Sequence, residues 1–305
     1  MESSLFAVLK AILYGFIEGI TEWLPISSTG HLIIGNSFLG TAEMYGEDFW
    51  SFFEVVIQLG AILAVVFHFF WDLNPFSFKL QKKERQKVFE LWLKIIIGVL
   101  PAGIIGVAME MAGYGKILDN VYIVAATLVV YGVFFIIIEK IRLKKEKDFL
   151  LLREMTFYSH NHRLYKYDKA IDLDYKIVIY IGIAQILSLI PGTSRSGITI
   201  LAALLFGCSK TCAAQFSFYL SIPVMLGASI IRLVSFLRSP VELSTNMLIY
   251  VFVGSGVAFI ISMLVIMFFM RIIRKHSFIG FGYYRILIGL VLFGLLFGGV
   301  IQPAF

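Results

Sequence analysis

Long apolar runs recur along the whole chain, near residues 5 to 24, 50 to 71, 91 to 112, 120 to 139, 176 to 190, 212 to 236, 247 to 270 and 284 to 303. Most approach the ~20 residues that a helix needs to cross a bilayer. Two further apolar segments, about 27 to 40 and 194 to 208, are too short to span, and each starts with a polar run, Ser27-Ser28-Thr29-Gly30-His31 or Ser194-Arg195-Ser196-Gly197. Each also follows a proline, Pro25 or Pro191, which stops one helix and favours a turn. The pattern therefore predicts an all-α integral membrane protein with about six full spans plus two re-entrant helical hairpins. Residues 1 to 24 lack a basic start and a small-residue cleavage site and carry Glu18 and Glu22, so they read as mature protein and not as a signal peptide.

The same order of residues occurs twice. Gly15-Phe16-Ile17-Glu18 and Gly182-Ile183-Ala184-Gln185 each pair a glycine with an acid or amide three residues on. An apolar turn, a proline, a Ser/Thr cluster and a glycine then follow in each copy. Downstream, Phe53-Glu54-Val55-Val56-Ile57-Gln58-Leu59-Gly60 has a weaker counterpart in Phe216-Ser217-Phe218-Tyr219-Leu220-Ser221-Ile222-Pro223. The chain reads as a single membrane domain, 1–305, made of repeat one over about 1–140, a connection over about 141–175 and repeat two over about 176–305. With one hairpin and three spans in each half, the second half enters from the opposite face. That is an inverted-topology repeat, which places broken helices face to face near the midplane with their N-termini toward an anionic group.

Composition agrees: 59% of residues are hydrophobic, 15% are charged and the mean hydropathy is +0.87, far from an ordinary soluble domain. Lys and Arg fix an orientation. They cluster at Lys79, Lys82, Lys83, Arg85 and Lys87, at ten positions from Lys140 to Lys176, and at Arg271, Arg274, Lys275 and Arg285, together 19 of the 26 basic residues. Counting crossings puts all three clusters on one face, which is then cytoplasmic, and leaves both termini and the first hairpin outside. The net charge of +6 is thus a topology signal and does not point to nucleic acid. Cys208 and Cys212 have no histidines nearby and read as small apolar helix residues. The segment 142 to 175 reads as a polar cytoplasmic connection with His160 and His162 solvated.

Against that background, the stretch Glu18 to His31 is an energetic anomaly. A carboxylate near the bilayer centre costs roughly 2.5–3.5 kcal/mol on insertion scales, so chemistry is the expected compensation. Glu18 and Glu22 are four apart and share one helix face. They are candidates for general acid–base work, or for holding a divalent metal together with substrate phosphates. Ser27, Ser28 and Thr29 follow Pro25 where a second helix begins, so hydroxyls and free backbone N–H groups converge in an anion site, one hydroxyl serving as N-cap. His31 could act as base, as acid to a leaving group, or orient a serine. In the second hairpin, Ser194 and Ser196 supply hydroxyls, Gly197 allows close backbone approach, and Arg195 supplies a planar charged fork for phosphate oxygens, with an ion pair to Glu18 or Glu22 as the plainer alternative. Gln58, Gln185 and Glu54 are secondary polar contacts. Together these parts suit phosphoryl transfer from a lipid whose tail lies in an apolar groove.

The motifs Glu18 to His31, Phe53 to Gly60 and Pro191 to Gly197 closely resemble those of the undecaprenyl-diphosphate phosphatase family, also called the bacitracin-resistance family, over nearly the whole chain. The resemblance implies a multi-pass enzyme of the bacterial inner (plasma) membrane. Such an enzyme hydrolyses undecaprenyl diphosphate to undecaprenyl phosphate, recycles the lipid carrier of cell-wall synthesis and confers bacitracin resistance. It implies an acidic motif at Glu18 and Glu22, a serine–histidine motif at Ser27, Ser28, Thr29 and His31, and an arginine motif at Ser194, Arg195 and Ser196. It also implies a divalent metal, Mg or Ca. Ser28 is the expected nucleophile or orients it, Glu22 and His31 handle protons and Arg195 holds phosphate; attack by water that Glu22 activates is the alternative. Two features depart from the family pattern: the connection 142 to 175 is long, and Gln215 stands where a glutamate is common. The expected partners are a polyprenyl diphosphate and membrane lipids, with a homo-oligomer left open. A polyprenyl-phosphate transporter or flippase is the rival reading, because inverted repeats with paired hairpins are also a transporter architecture.

Overall fold

The computed structural model describes residues 3–78, 80–113, 120–155 and 164–303. Lys79, Arg163, His160 and His162 lie outside the described residues, so the expectation of solvated histidines is not addressed. The chain is helical throughout, with one isolated bridge, Tyr167 to Cys208, among the described residues. Among the described residues, ten helices of more than ten residues organise it: α1 (Ser4–Thr21), α2 (Ser28–Leu39), α3 (Glu47–His68), α4 (Lys82–Met111), α5 (Val121–Met155), α6 (Tyr175–Gln185), α7 (Arg195–Leu205), α8 (Lys210–Leu237), α9 (Thr245–Lys275) and α10 (Ile279–Phe297).

Seven of these, α1, α3, α4, α5, α8, α9 and α10, are long and apolar enough to cross a membrane. The sequence pattern counts about six and assigns α1 to a hairpin. The difference is length: α1 has 18 residues, about 27 Å at the helical rise, close to the hydrocarbon thickness. Its partner α2 has 12 residues, and the counterparts α6 and α7 have 11 each. Large apolar side chains such as Phe6, Phe67, Phe252 and Leu290 remain exposed on the outer faces of the bundle, as expected where the solvent is lipid.

With no hydrophobic effect to gain between helices in lipid, small residues let the backbones touch. A Cβ on Gly15 of α1 would fall on the carbonyl oxygen of Gly254 in α9, and a Cβ on Gly182 of α6 would fall on that of Gly98 in α4. Through these contacts α1 packs on α9 and α6 packs on α4. Ser262 Oγ reinforces the first by donating to Gly19 O at 3.3 Å.

The connection is less solvated than its composition implies. Residues 142 to 155 continue α5, and Tyr167, Ala170 and Leu173 are buried beneath the loop after α7, where Lys166 N donates to Gly207 O at 2.9 Å. Cys208 and Cys212 are free, buried thiols in this packing. One member of the third basic cluster is misplaced by the charge count. Arg285 lies inside α10 with no exposed surface, next to the two hairpin turns, where backbone carbonyls accept from both its Nη atoms.

Replacing Gly15 with alanine should destabilise the protein by about 1–3 kcal/mol, as overpacking does. Gly256→Ala, where nothing lies within 4 Å of the added carbon, should leave stability unchanged or slightly raised. Thermal unfolding in detergent, monitored side by side for the two variants, checks this.

Candidate active site

The site begins where α1 stops. Glu22 keeps helical angles (φ −68°, ψ −40°) and donates its N–H to Glu18 O at 3.0 Å, so the two carboxylates stay one turn apart on one face. The chain then turns through Pro25 and reaches Ser27 at φ 73°, immediately before α2; in the second half, Ser194 at φ 67° stands immediately before α7. These two serines are the only non-glycine residues with positive φ among the described residues. Each such conformation costs on the order of 1–3 kcal/mol and persists only where the surroundings impose it.

The strained turns aim the first residue of each following helix at Glu22. Ser28 Oγ donates to Glu22 Oε2 at 2.8 Å, and Arg195 Nη2 donates to Glu22 Oε1 at 2.9 Å, so the two oxygens of one carboxylate are divided between the two hairpins. The pair is nearly dry: the Arg195 and Glu22 side chains are 10% and 11% exposed. Arg195 is held by Nη1, which donates to Ser217 O at 2.9 Å, and its guanidinium lies 5.8 Å from the Trp23 ring. Of the two pairings the sequence leaves open for Arg195, this geometry contains the ion pair with Glu22. Ser196 Oγ crosses between hairpins and donates to Glu22 O at 3.2 Å.

The serines divide their work differently from the sequence expectation. Ser194 caps α7 by accepting from Gly197 N at 3.2 Å, while Ser27, the N-cap of α2, makes no side-chain cap bond. Thr29 does not cap either and is half-buried. The amides at the start of α2 are therefore not consumed by a cap, which keeps them directed at an anion.

Glu18 is fully buried, and neither carboxylate oxygen has a hydrogen-bond partner. It lies within electrostatic reach of Glu22, Glu54 and Arg195. Gln185, at the end of α6, is equally buried, with both amide atoms unpartnered. Gln58, one turn after Glu54 on α3, is half-buried and makes no hydrogen bond to this centre among the described residues. Two unpaired, water-excluded carboxylate oxygens are donors that fit a hard divalent cation. No group of three His, Cys, Asp or Glu is poised as a full ligand set among the described residues, so such an ion would need further oxygens from a substrate.

His31 is placed at the edge of this centre. Its Nδ1 lies 2.7 Å from Ser27 O and its Nε2 2.9 Å from Tyr284 Oη. A carbonyl only accepts, so Nδ1 carries a proton and donates it to Ser27 O, while Nε2 is hydrogen-bonded to the tyrosine hydroxyl. His31 makes no hydrogen bond to Ser28 or Glu22, so proton transfer from Ser28 falls to Glu22 alone in this geometry. Tyr284, stacked on His31 with ring centroids 5.6 Å apart, and Arg285 are the residues that sequence reasoning missed. An arginine within an apolar span was itself the available signal.

A carboxylate, a hydroxyl and a guanidinium brought together inside a bundle of apolar helices define a multi-pass membrane protein with a buried polar centre. The family model for Bacitracin resistance protein BacA matches residues 11–291, and the chain belongs to that family. Curated relatives include the undecaprenyl-diphosphatase of Acetivibrio thermocellus, 44% identical over 284 residues covering 93% of this chain and 96% of that protein. Undecaprenyl-diphosphatase 1 of Clostridioides difficile is 42% identical with coverage of 96% and 98%. The undecaprenyl-diphosphatase of Enterococcus faecalis is 42% identical with coverage of 95% and 98%.

If Ser27 is strained, relieving it has a measurable effect. Ser27→Gly should raise stability by about 1 kcal/mol, whereas Ser27→Val should lower it by about 1–3 kcal/mol. Denaturant or thermal titration of the purified variants gives the sign directly.

Proposed function

We propose that this chain is an undecaprenyl-diphosphatase, removing the terminal phosphate of undecaprenyl diphosphate to leave undecaprenyl phosphate and inorganic phosphate. Recycling of the cell-wall lipid carrier and tolerance of bacitracin follow from that activity. The observation that carries the reading is Glu22, with Ser28 on one oxygen and Arg195 on the other, in a chain whose relatives bear that enzyme name over nearly their full length.

In the first step Glu22 takes the proton of Ser28, and Ser28 Oγ bonds to the terminal phosphorus as the bridging P–O bond breaks and undecaprenyl phosphate leaves. Arg195 exchanges part of its contact with Glu22 for phosphate oxygens, supported by the α2 amides, Ser27, Thr29 and Ser196. Water then attacks the phosphoserine, the Ser28 Oγ–P bond breaks as Glu22 returns its proton to Ser28 Oγ, and the water oxygen and its two protons leave with inorganic phosphate. His31, oriented by Ser27 and Tyr284, exchanges a proton with phosphate in this second step. Glu18 and Glu22 are the residues that would hold a Mg or Ca ion with substrate phosphates; when bound, it offsets the charge of the diphosphate.

The architecture proposed with this chemistry is an inverted repeat, about 1–140 and 176–305, with α1–α2 and α6–α7 as re-entrant hairpins. It is supported by matched strain at Ser27 and Ser194 and by the matched glycine contacts of α1 with α9 and α6 with α4. The first hairpin faces the outer side of the plasma membrane, where the basic-residue count directs it.

Phosphate release from undecaprenyl diphosphate by purified protein tests the reading, and a protein that only transports lipid releases none. Ser28→Ala should lose at least about a hundredfold in rate, and a phosphoserine should be trapped by rapid acid quench. Full activity in Ser28→Ala would leave Glu22-activated water as the route. Arg195→Lys should fall by about a hundredfold because a point charge does not reproduce the fork. A chelator should abolish turnover, with Mg or Ca restoring it.

A further inference from the structure

Arg285 is a buried cation that the chemistry above does not use. It has no exposed surface, and no carboxylate pairs with it among the described residues. Its partners are backbone carbonyls. Nη1 donates to Pro25 O at 3.3 Å, and Nη2 donates to Gly192 O and to Thr193 O, both at 3.0 Å. Pro25 lies two residues before the strained Ser27, and Thr193 immediately before the strained Ser194. One side chain therefore grips both turns.

The grip comes from a fixed support. Gly282, one turn before Arg285, faces Gly132 of α5, and a Cβ on either glycine would stand 2.8 Å from the other's carbonyl oxygen, which seats α10 directly on α5. Tyr131 and Phe135 of α5 then flank the guanidinium, each ring centroid 5.9 Å from Cζ. An arginine buried without a counter-ion is costly, and the planar fork is the side chain that can reach carbonyls on two separate segments at once.

We propose that Arg285 is the positioning residue of the site: by joining the two serine turns it sets the spacing at which Ser28 and Arg195 both close on Glu22. Its kinetic test rests on the phosphatase reading above; its structural test does not. In Arg285→Met, amides in both turns, residues 24–30 and 191–198, should exchange with deuterium at least about tenfold faster, while those of α3 and α8 keep their protection. The kcat for phosphate release should fall about a hundredfold with KM within about threefold, since misplaced rather than missing contacts lower the chemical step. Arg285→Lys, which keeps the charge but loses the fork, should fall between wild type and Arg285→Met in both readouts and serves as the deciding variant if Met does not fold.

Faster exchange in one turn only, in neither, or uniformly through the protein would overturn the proposal, as would wild-type kcat with both turns loosened. If the wild-type protein releases no phosphate, the enzymatic reading fails while the exchange data still decide whether Arg285 joins the turns.

Discussion

A carboxylate excluded from water must be paired, and Glu22 is paired by both hairpins of the chain at once. Ser28 takes one oxygen and Arg195, more than 160 residues away in sequence, takes the other. Neither half can complete this arrangement alone, and separating them would strand a charge in an apolar interior, at a cost of several kcal/mol. The rest of the bundle can be understood from that requirement. Glycine contacts bring α1 against α9 and α6 against α4 closely enough for the turns to meet. Arg195 is tied to the backbone of α8 through Ser217, so its fork arrives already oriented.

In the proposed repeat, the two halves carry different chemistry at matched positions. Ser27 and Ser194 share the same unusual backbone conformation. The residue after each, however, is a hydroxyl in one copy and a guanidinium in the other. Glu18 is matched by Gln185, and His31 by an apolar residue, Ile198. The proposed duplication thus yields one half that supplies acid, nucleophile and imidazole, and another that supplies the cation. In that proposal, an inverted pair placed face to face makes two versions of one hairpin complementary sides of a single centre. The strain stored at the two serines is the means: it presents the first residue of each helix to the centre instead of spending it on the helix's own cap.

Much of this is visible in sequence because lipid leaves few options. Apolar runs of about 20 residues read as spans, Pro25 and Pro191 mark the turns, and polar residues between them stand out as expensive. The same rules mislead when charge is counted without burial. Arg285 counts toward a basic cluster in the sequence, yet it lies against the carbonyls of Pro25, Gly192 and Thr193. Ser194 also caps α7, and His31, left open among three roles by the sequence, is hydrogen-bonded to Ser27 and Tyr284. For His31 and Arg285 the deciding partners include groups more than 250 residues distant, which no local stretch of sequence identifies.

By itself the sequence determined the class of fold, the family and the proline-marked turns at Pro25 and Pro191, because each depends on composition, period or a contiguous motif. Only the tertiary structure decided how those residues pair. It divided Glu22 between Ser28 and Arg195, left Glu18 without a hydrogen bond, turned His31 toward Tyr284, and carried Arg285 from an expected surface to the junction of the turns. The physical reason is that hydrogen bonds and ion pairs act over about 3 Å. Distances that short between segments far apart in the chain are set by helix packing, to which no single stretch of sequence has access.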